Sequence, residues 1–327
     1  MRLADFVVSY SLEINNRCLR YLAECDARGA AVARQESGDL MAAEPHTVYA
    51  ESLLARDSRR LVSMWSLMQP AWKQGDAPIV EHVQALSAGS DALTDSANSR
   101  RLALRLASLA QQDHEAQAML KLARKLPTDI PMTWDELNEL FAADSHFWRR
   151  SNTFRQLPDD AVQKRVARSY RKSQRLAALL RPDEPGAWLH EHGADLRRWV
   201  ELSTHQLELL RPGLSDKGRA QLWYLDKMAD TLRTREGLVA MRRSAARVKM
   251  KKSTAKIVET YIDKQIGKMD KRVVRLAAGS FTSKPKKMNA LTATAVNKLG
   301  LREVSLMQVS QQEPAKSSST PTDNAYG

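Results

Sequence analysis

The sequence predicts an all-α protein made of two related helical-bundle halves packed together, followed by a flexible basic C-terminal tail. Three observations predict this. Long segments are dominated by Leu, Ala, Arg, Gln and Glu, which are good helix formers. Runs of Val, Ile, Thr and aromatics, which strands favour, are rare, and aromatics make up only 6% of the chain. Apolar residues recur three and four positions apart rather than in alternation. At 327 residues the chain can build one large or two modest domains with a real core.

The first helix is expected over Phe6–Ala33, with Leu12, Ile14, Leu19 and Leu22 as packing residues. A loop through Ser37, Gly38, Asp39 and Pro45 follows. The next helix runs from Thr47 to Met68 and stops at Pro70, with Leu54, Leu61, Trp65 and Met68 on one face and Arg56, Arg59 and Arg60 on another. Helices are then expected over Pro78–Ser87, Asp91–Leu109 and His114–Leu126. Thr133 followed by Glu136 reads as a capping box that opens a helix continuing through Phe141 to Phe154. Leu157-Pro158-Asp159-Asp160 breaks the chain and starts a basic helix, which ends at the turn Arg181–Gly186. Leu189-His190-Glu191 opens the next helix, and Pro212-Gly213 closes it. Ser215 caps the one after. A last basic helix is expected over Thr234–Leu276. From Gly279 the Lys-, Ser-, Thr-, Gln- and Pro-rich composition predicts a flexible tail, with room for a short helix at Ala290–Leu299.

A weak internal echo supports two halves. Arg59-Arg60-Leu61 leads to Leu67-Met68-Gln69-Pro70, and Arg197-Arg198 leads to Leu209-Leu210-Arg211-Pro212. The predicted organisation is an N-terminal helix over 1–44, a first half over 45–156, a second half over 157–278 and the tail over 279–327.

The net charge of +13 favours an anionic partner: nucleic acid, an anionic membrane or polyphosphate. Cys18 and Cys25 stand too far apart along one helix for a disulfide and suit a reducing compartment. The opening residues carry Arg2 and Asp5 without a long apolar run, and no stretch reads as a membrane span, so a cytoplasmic location is expected. The main functional signal is a row of cations. Lys164, Arg168, Arg171, Lys172 and Arg175 share one helix face, while Val162, Val166, Leu176 and Leu180 lie on another. Like charges stacked on one face destabilise a helix, and a bound anion offsets that cost.

The motif set resembles the CHAD family, the conserved histidine α-helical domain, over roughly residues 45–275. Tyr170-Arg171-Lys172 and Arg175-Leu176-Ala177 are similar to its Tyr-Arg-Arg helix, Leu189-His190-Glu191 to its Leu-His-Glu box, and Gln206–Pro212 to its closing segment. In the first half, Arg59-Arg60-Leu61 and Leu67–Pro70 correspond to the same core and close. The resemblance implies two helical-bundle halves and noncatalytic binding of inorganic polyphosphate through a basic surface and a central pore; polyphosphate granules are the location such binding would allow. This chain departs from the pattern in holding Ser52 at the first-half histidine position, Ala55 at the arginine position, and His192-Gly193-Ala194 after the second-half histidine.

The expected polyphosphate-binding residues are Arg59, Arg60, Arg101, Arg105, Lys164, Arg168, Arg171, Lys172, Arg175 and His190, with Arg197 and Arg198 as second choices. Guanidinium forks and ammonium groups lining a groove suit phosphate oxygens, and such binding weakens steeply with salt. For any one arginine, a solvated face or surface ion pair is the competing reading. For His190 a helix-end histidine near Glu191 competes equally, and a metal pair with His192 is disfavoured because i, i+2 residues do not share a face. No phosphate-cradling Gly-rich loop, nucleophile elbow or His-Glu-x-x-His motif is present. The expectation is therefore a nonenzymatic protein without cofactor or metal. The alternative is a nucleic-acid-binding or scaffolding protein that uses the same faces, to which Arg242–Lys252 would contribute.

Overall fold

The computed structural model describes residues 2–34, 40–71, 76–126, 133–150, 152–282, 284, 287–288 and 290–298. Among these residues every regular element is helical, as the composition predicts. The elements are α1 (Leu3–Arg34), α2 (Leu40–Met68), α3 (Ala77–Leu109), α4 (Asp113–Ala123), α5 (Trp134–Arg150), α6 (Asn152–Arg155), α7 (Asp159–Ala177), α8 (Pro185–Leu209), α9 (Asp216–Arg247) and α10 (Lys252–Ser280). Short 3₁₀ turns at Gln69–Ala71 and Arg211–Gly213 follow α2 and α8.

Several boundaries differ from the expected ones. Helix α2 starts before Pro45, which stands in its second turn; the expected loop residues Ser37 to Asp39 lie outside the described residues. The two helices expected over Pro78–Ser87 and Asp91–Leu109 are one, with Pro78 in the first turn where its missing N–H is harmless. Gly89 does not break it, because tertiary packing on Leu86, Leu93, Leu102 and Leu106 holds α3 along its length. The long basic helix expected over Thr234–Leu276 is two: Val248 takes an extended conformation and ends α9, and α10 restarts after Lys251.

The caps follow local chemistry. Thr133 Oγ1 accepts from the Glu136 N–H at 3.2 Å while Glu136 accepts from the Thr133 N–H at 2.7 Å, which closes the predicted capping box. Ser215 caps α9 by accepting from the Gly218 N–H at 3.3 Å. Ser215→Ala is expected to cost about 1 kcal/mol, seen as a lower urea midpoint at unchanged slope; an unchanged midpoint would show the cap to be idle.

Two apolar clusters form the core. The larger joins α1, α2, the first half of α3, α5 to α8, the first part of α9 and the end of α10. The smaller joins Leu102 and Leu106 of α3, Met119 and Leu122 of α4, Leu238 and Met241 of α9, and Val258 and Ile262 of α10. Helices α3, α9 and α10 pass through both. Neither cluster follows the expected boundary at residue 157: α2 packs directly on α8, where Gln206 Nε2 donates to Ser66 Oγ at 2.7 Å. At the centre of the larger cluster, Trp65 and Trp148 lie with ring centroids 4.2 Å apart, and Phe154 meets Trp65 edge-on at 5.4 Å. Trp65 Nε1 donates to the fully buried Asp144 at 2.6 Å, and His82 Nε2 lies 2.9 Å from the same oxygen.

The stretch expected to be a free tail from residue 279 starts differently. Ser280, Met288 and Ala295 are buried, and residues 290–298 are helical against the core. The approach is close enough that a Cβ on Gly213 would run into the backbone of Ala295. The remainder of the expected tail, 299–327, lies outside the described residues.

Candidate anion-binding site

Helix α7 presents the expected row of cations to solvent. Its other face buries Val162, Val166, Tyr170 and Ser173, with Ser173 and Ser203 of α8 in hydrogen-bond contact at 2.8 Å. Arg168, Arg171 and Arg175 are exposed and meet no carboxylate among the described residues. Lys164 differs, because it pairs with Asp160 one turn earlier at 2.8 Å. Lys172 Nζ sits 4.3 Å from the centre of the Trp199 ring of α8, a cation–π contact that holds the side chain against the neighbouring helix. Arg165 Nη1 donates to Gln69 Oε1 at 2.8 Å.

Gln69 and Arg198, the residue beside Trp199, both line a polar cavity of about 520 Å³ between α2, α3 and α8. Helix α7 therefore reaches the edge of this cavity at one point, Arg165 on Gln69, whereas Lys172 stops at Trp199, which does not line it. Arg59, Arg197 and Arg198 line it, together with Ser63, Ser66 and Ser90 and the acids Asp91, Asp195 and Glu201. Glu201 is held from two sides: Arg233 Nη2 reaches it at 2.8 Å and Arg197 Nη1 at 3.4 Å.

Burial first, then the field of Arg233, lowers the Arg59 guanidinium to about 9, so it stays charged at neutral pH. Burial raises the Glu201 carboxyl, but Arg233, Arg59 and Arg197 outweigh it, and its pKa ends below the ordinary carboxylate value. Burial, then Arg60, Arg233 and Arg59, push the His205 imidazole well below 6.5, so it is neutral at pH 7. Its Nδ1 lies 3.0 Å from Ser63 Oγ, and Ser63 Oγ donates to the Arg59 carbonyl at 2.9 Å. The cavity thus holds a concentrated, mostly compensated field, while Arg168, Arg171 and Arg175 on α7 face no carboxylate among the described residues.

The twelve expected site residues do not form a single site. Arg59, Arg197 and Arg198 line the cavity, and the α7 row lies outside it on the solvent face of a neighbouring helix. Arg60 points the other way: it donates to Asp57 at 2.8 Å and to Glu208 at 2.6 Å, with Arg17 donating to Asp57 at 2.9 Å. That network joins α1, α2 and α8, and it occupies the Arg60 guanidinium. Arg101 and the exposed Arg105 lie on the part of α3 that builds the smaller cluster, to which α7 contributes nothing. His190 is exposed and lines a different groove, between α8, α9 and α10.

Three contributors were not expected: Glu201, His205 and Arg233. Arg197, Glu201 and His205 recur four apart on α8, and that spacing was a usable signal. Nothing in the sequence ties Arg233 to Glu201, 32 positions away. Among the described residues no group of three or more His, Cys, Asp or Glu is placed to hold a metal ion, and none of the described helices is long and apolar enough to cross a membrane. Compared with protein-family models, with curated proteins and with solved structures, the chain gives no match.

Proposed function

We propose that the protein binds a polyanion noncatalytically on the exposed face of α7 and the adjoining rim of the α2–α3–α8 cavity. The observation that carries this reading is the set Arg168, Arg171 and Arg175: three exposed guanidiniums on one helix face without a carboxylate among the described residues. The arginines nearest the core are spent on acids, as with Arg60, Arg197, Arg233 and Arg235. A row of spare cations suits a linear ligand with regularly spaced charge, since affinity comes from many contacts and released counterions. Inorganic polyphosphate is the anion we propose, and the resemblance to the CHAD family supports that choice. Polyphosphate granules are then the corresponding location.

The test is titration calorimetry of the full chain with long-chain polyphosphate at two salt concentrations, with duplex DNA and heparin as competitors. Binding is expected to weaken steeply with salt, and polyphosphate is expected to win. Arg168→Glu/Arg171→Glu/Arg175→Glu should weaken it about a hundredfold, at roughly 1 kcal/mol per lost contact, with an unchanged melting temperature because these side chains are exposed. Unaltered affinity in this variant would overturn the α7 site. Equal affinity for DNA or heparin would overturn the choice of polyphosphate.

A further inference from the structure

The helical hairpin α9–α10 carries a second feature that polyanion binding does not use. One side of the hairpin packs Leu238, Met241 and Tyr261 into the smaller core cluster against α3 and α4. Bordering the same cluster is a trough of about 860 Å³, within the range of about 300–1,000 Å³ typical of small-molecule sites. Its accessible apolar lining comes from Val239 and Ala246 of α9, Ile266 of α10 and Met250 in the connection, with the buried Val258 and Ile262 of the smaller cluster beneath them.

The two ends of the trough differ. At one end the first two turns of α8 lie over it with Gly186, Ala187 and His190. Arg235 fixes that end: it donates to Asp270 of α10 and to the Leu189 carbonyl at 3.1 Å, so α8, α9 and α10 are clamped together. At the other end is the basic turn of the hairpin. Residues 242–256 contain seven Lys and Arg and no carboxylate. Arg242 and Arg243 line the trough itself; Arg242 pairs with Asp263 at 3.1 Å, whereas Arg243, Arg247, Lys251 and Lys252 make no ion pair among the described residues. Glu259 is the only wall carboxylate besides the clamped Asp270. Lys251 and Lys252 also sit at the start of a 29-residue helix, the end where cations are unfavourable and an anion is favoured.

We propose that this trough binds a long-chain fatty carboxylate, with the hydrocarbon chain along the apolar floor and the carboxylate at Arg243 and the basic turn. A purely polar anion would leave the floor in contact with water, and a neutral lipid would leave the cations unanswered. Only a molecule with both parts satisfies both.

The full-length protein is titrated by calorimetry with laurate below its micelle-forming concentration. Dodecanol supplies the chain without the charge, acetate the charge without the chain, and phosphatidylglycerol vesicles a membrane surface. Saturable one-site binding of laurate is expected, with dodecanol and acetate at least tenfold weaker. Val239→Trp fills the trough at a half-buried position and should weaken laurate more than tenfold at an unchanged melting temperature. Arg243→Glu should weaken laurate and leave dodecanol unaffected. The proposal is overturned if laurate and dodecanol bind alike, if neither binds, or if Val239→Trp leaves laurate binding unchanged. It is equally overturned if only vesicles bind, which would assign the trough to a membrane surface. A dimer that Val239→Trp dissociates on size-exclusion chromatography would assign it to a second copy of the chain and also overturn it.

Discussion

Trp65→Ala is expected to lower the unfolding free energy by about 3–5 kcal/mol, the range for emptying a buried aromatic site. The indole is fully buried and touches Trp148, Phe147, Phe154 and His82. Its loss also removes the N–H that Asp144 accepts at 2.6 Å. Asp144 is fully buried, and burial raises its pKa despite the opposing contacts from His82 and Trp65. The alanine variant therefore combines a cavity with a less satisfied buried carboxyl. Trp65→Phe separates the two, because it keeps most of the packing and loses only the donor, and about 1–3 kcal/mol is expected. Urea unfolding followed by circular dichroism reads both. A cost below about 1 kcal/mol for the alanine variant would mean that this aromatic cluster does not anchor the core.

Glu201→Gln should cost about 3 kcal/mol, for an electrostatic reason: removing one member of a buried charge set leaves the rest less compensated. Arg59, Arg197 and Arg233 all act on this carboxylate, while Arg197 also pairs with Glu236 and Arg233 with Asp230. Glu201→Gln combined with Arg233→Gln should cost less than the sum of the single changes, and strict additivity would show that the pair is not coupled.

The same region sets the acid response. The folded His205 resists a proton that the unfolded ring accepts near 6.5, so the unfolded state binds more protons below that pH. Stability is therefore expected to fall from about pH 6.5 downward, by up to about 1.4 kcal/mol per pH unit for this one group. Glu201, with a depressed folded pKa, adds stability that is complete above the unfolded value of 4.5 and is lost as pH falls through the folded value. Asp144 acts the other way, since its raised pKa lets the folded state take up a proton first as pH falls. His205→Gln should flatten the slope just below pH 6.5. A slope unchanged in that variant would place the titrating group elsewhere.

How much of this was legible in the sequence depended on whether the relevant physics is local. The capping box at Thr133 and Glu136, the Ser215 cap and the helix stop near Pro70 are set by neighbouring residues, and each stands where the sequence places it. The two faces of α7 follow from periodicity, and so do the buried Leu54, Leu61 and Trp65 of α2. The fusion of two expected helices into α3 and the break after Val248 were hidden. Gly89 and Asp91 look like a stop, and Val-Lys-Met-Lys has neither Gly nor Pro to announce one. What became of the arginines was also hidden. Arg59 and Arg60 are adjacent and look equivalent, yet one lines a cavity and the other joins Asp57 and Glu208. The sequence shows a charge, and tertiary pairing decides whether that charge is spent.

The continuity of α3 and α9 through both apolar clusters has a consequence for how the chain can be divided. A fragment cut near residue 157 would keep α3 but lose α9 and α10, exposing Leu102 and Leu106 without their partners. The complementary fragment would expose Leu238 and Met241 for the same reason. Neither piece owns a complete interior, so a cut near residue 157 is expected to leave two fragments that do not fold alone.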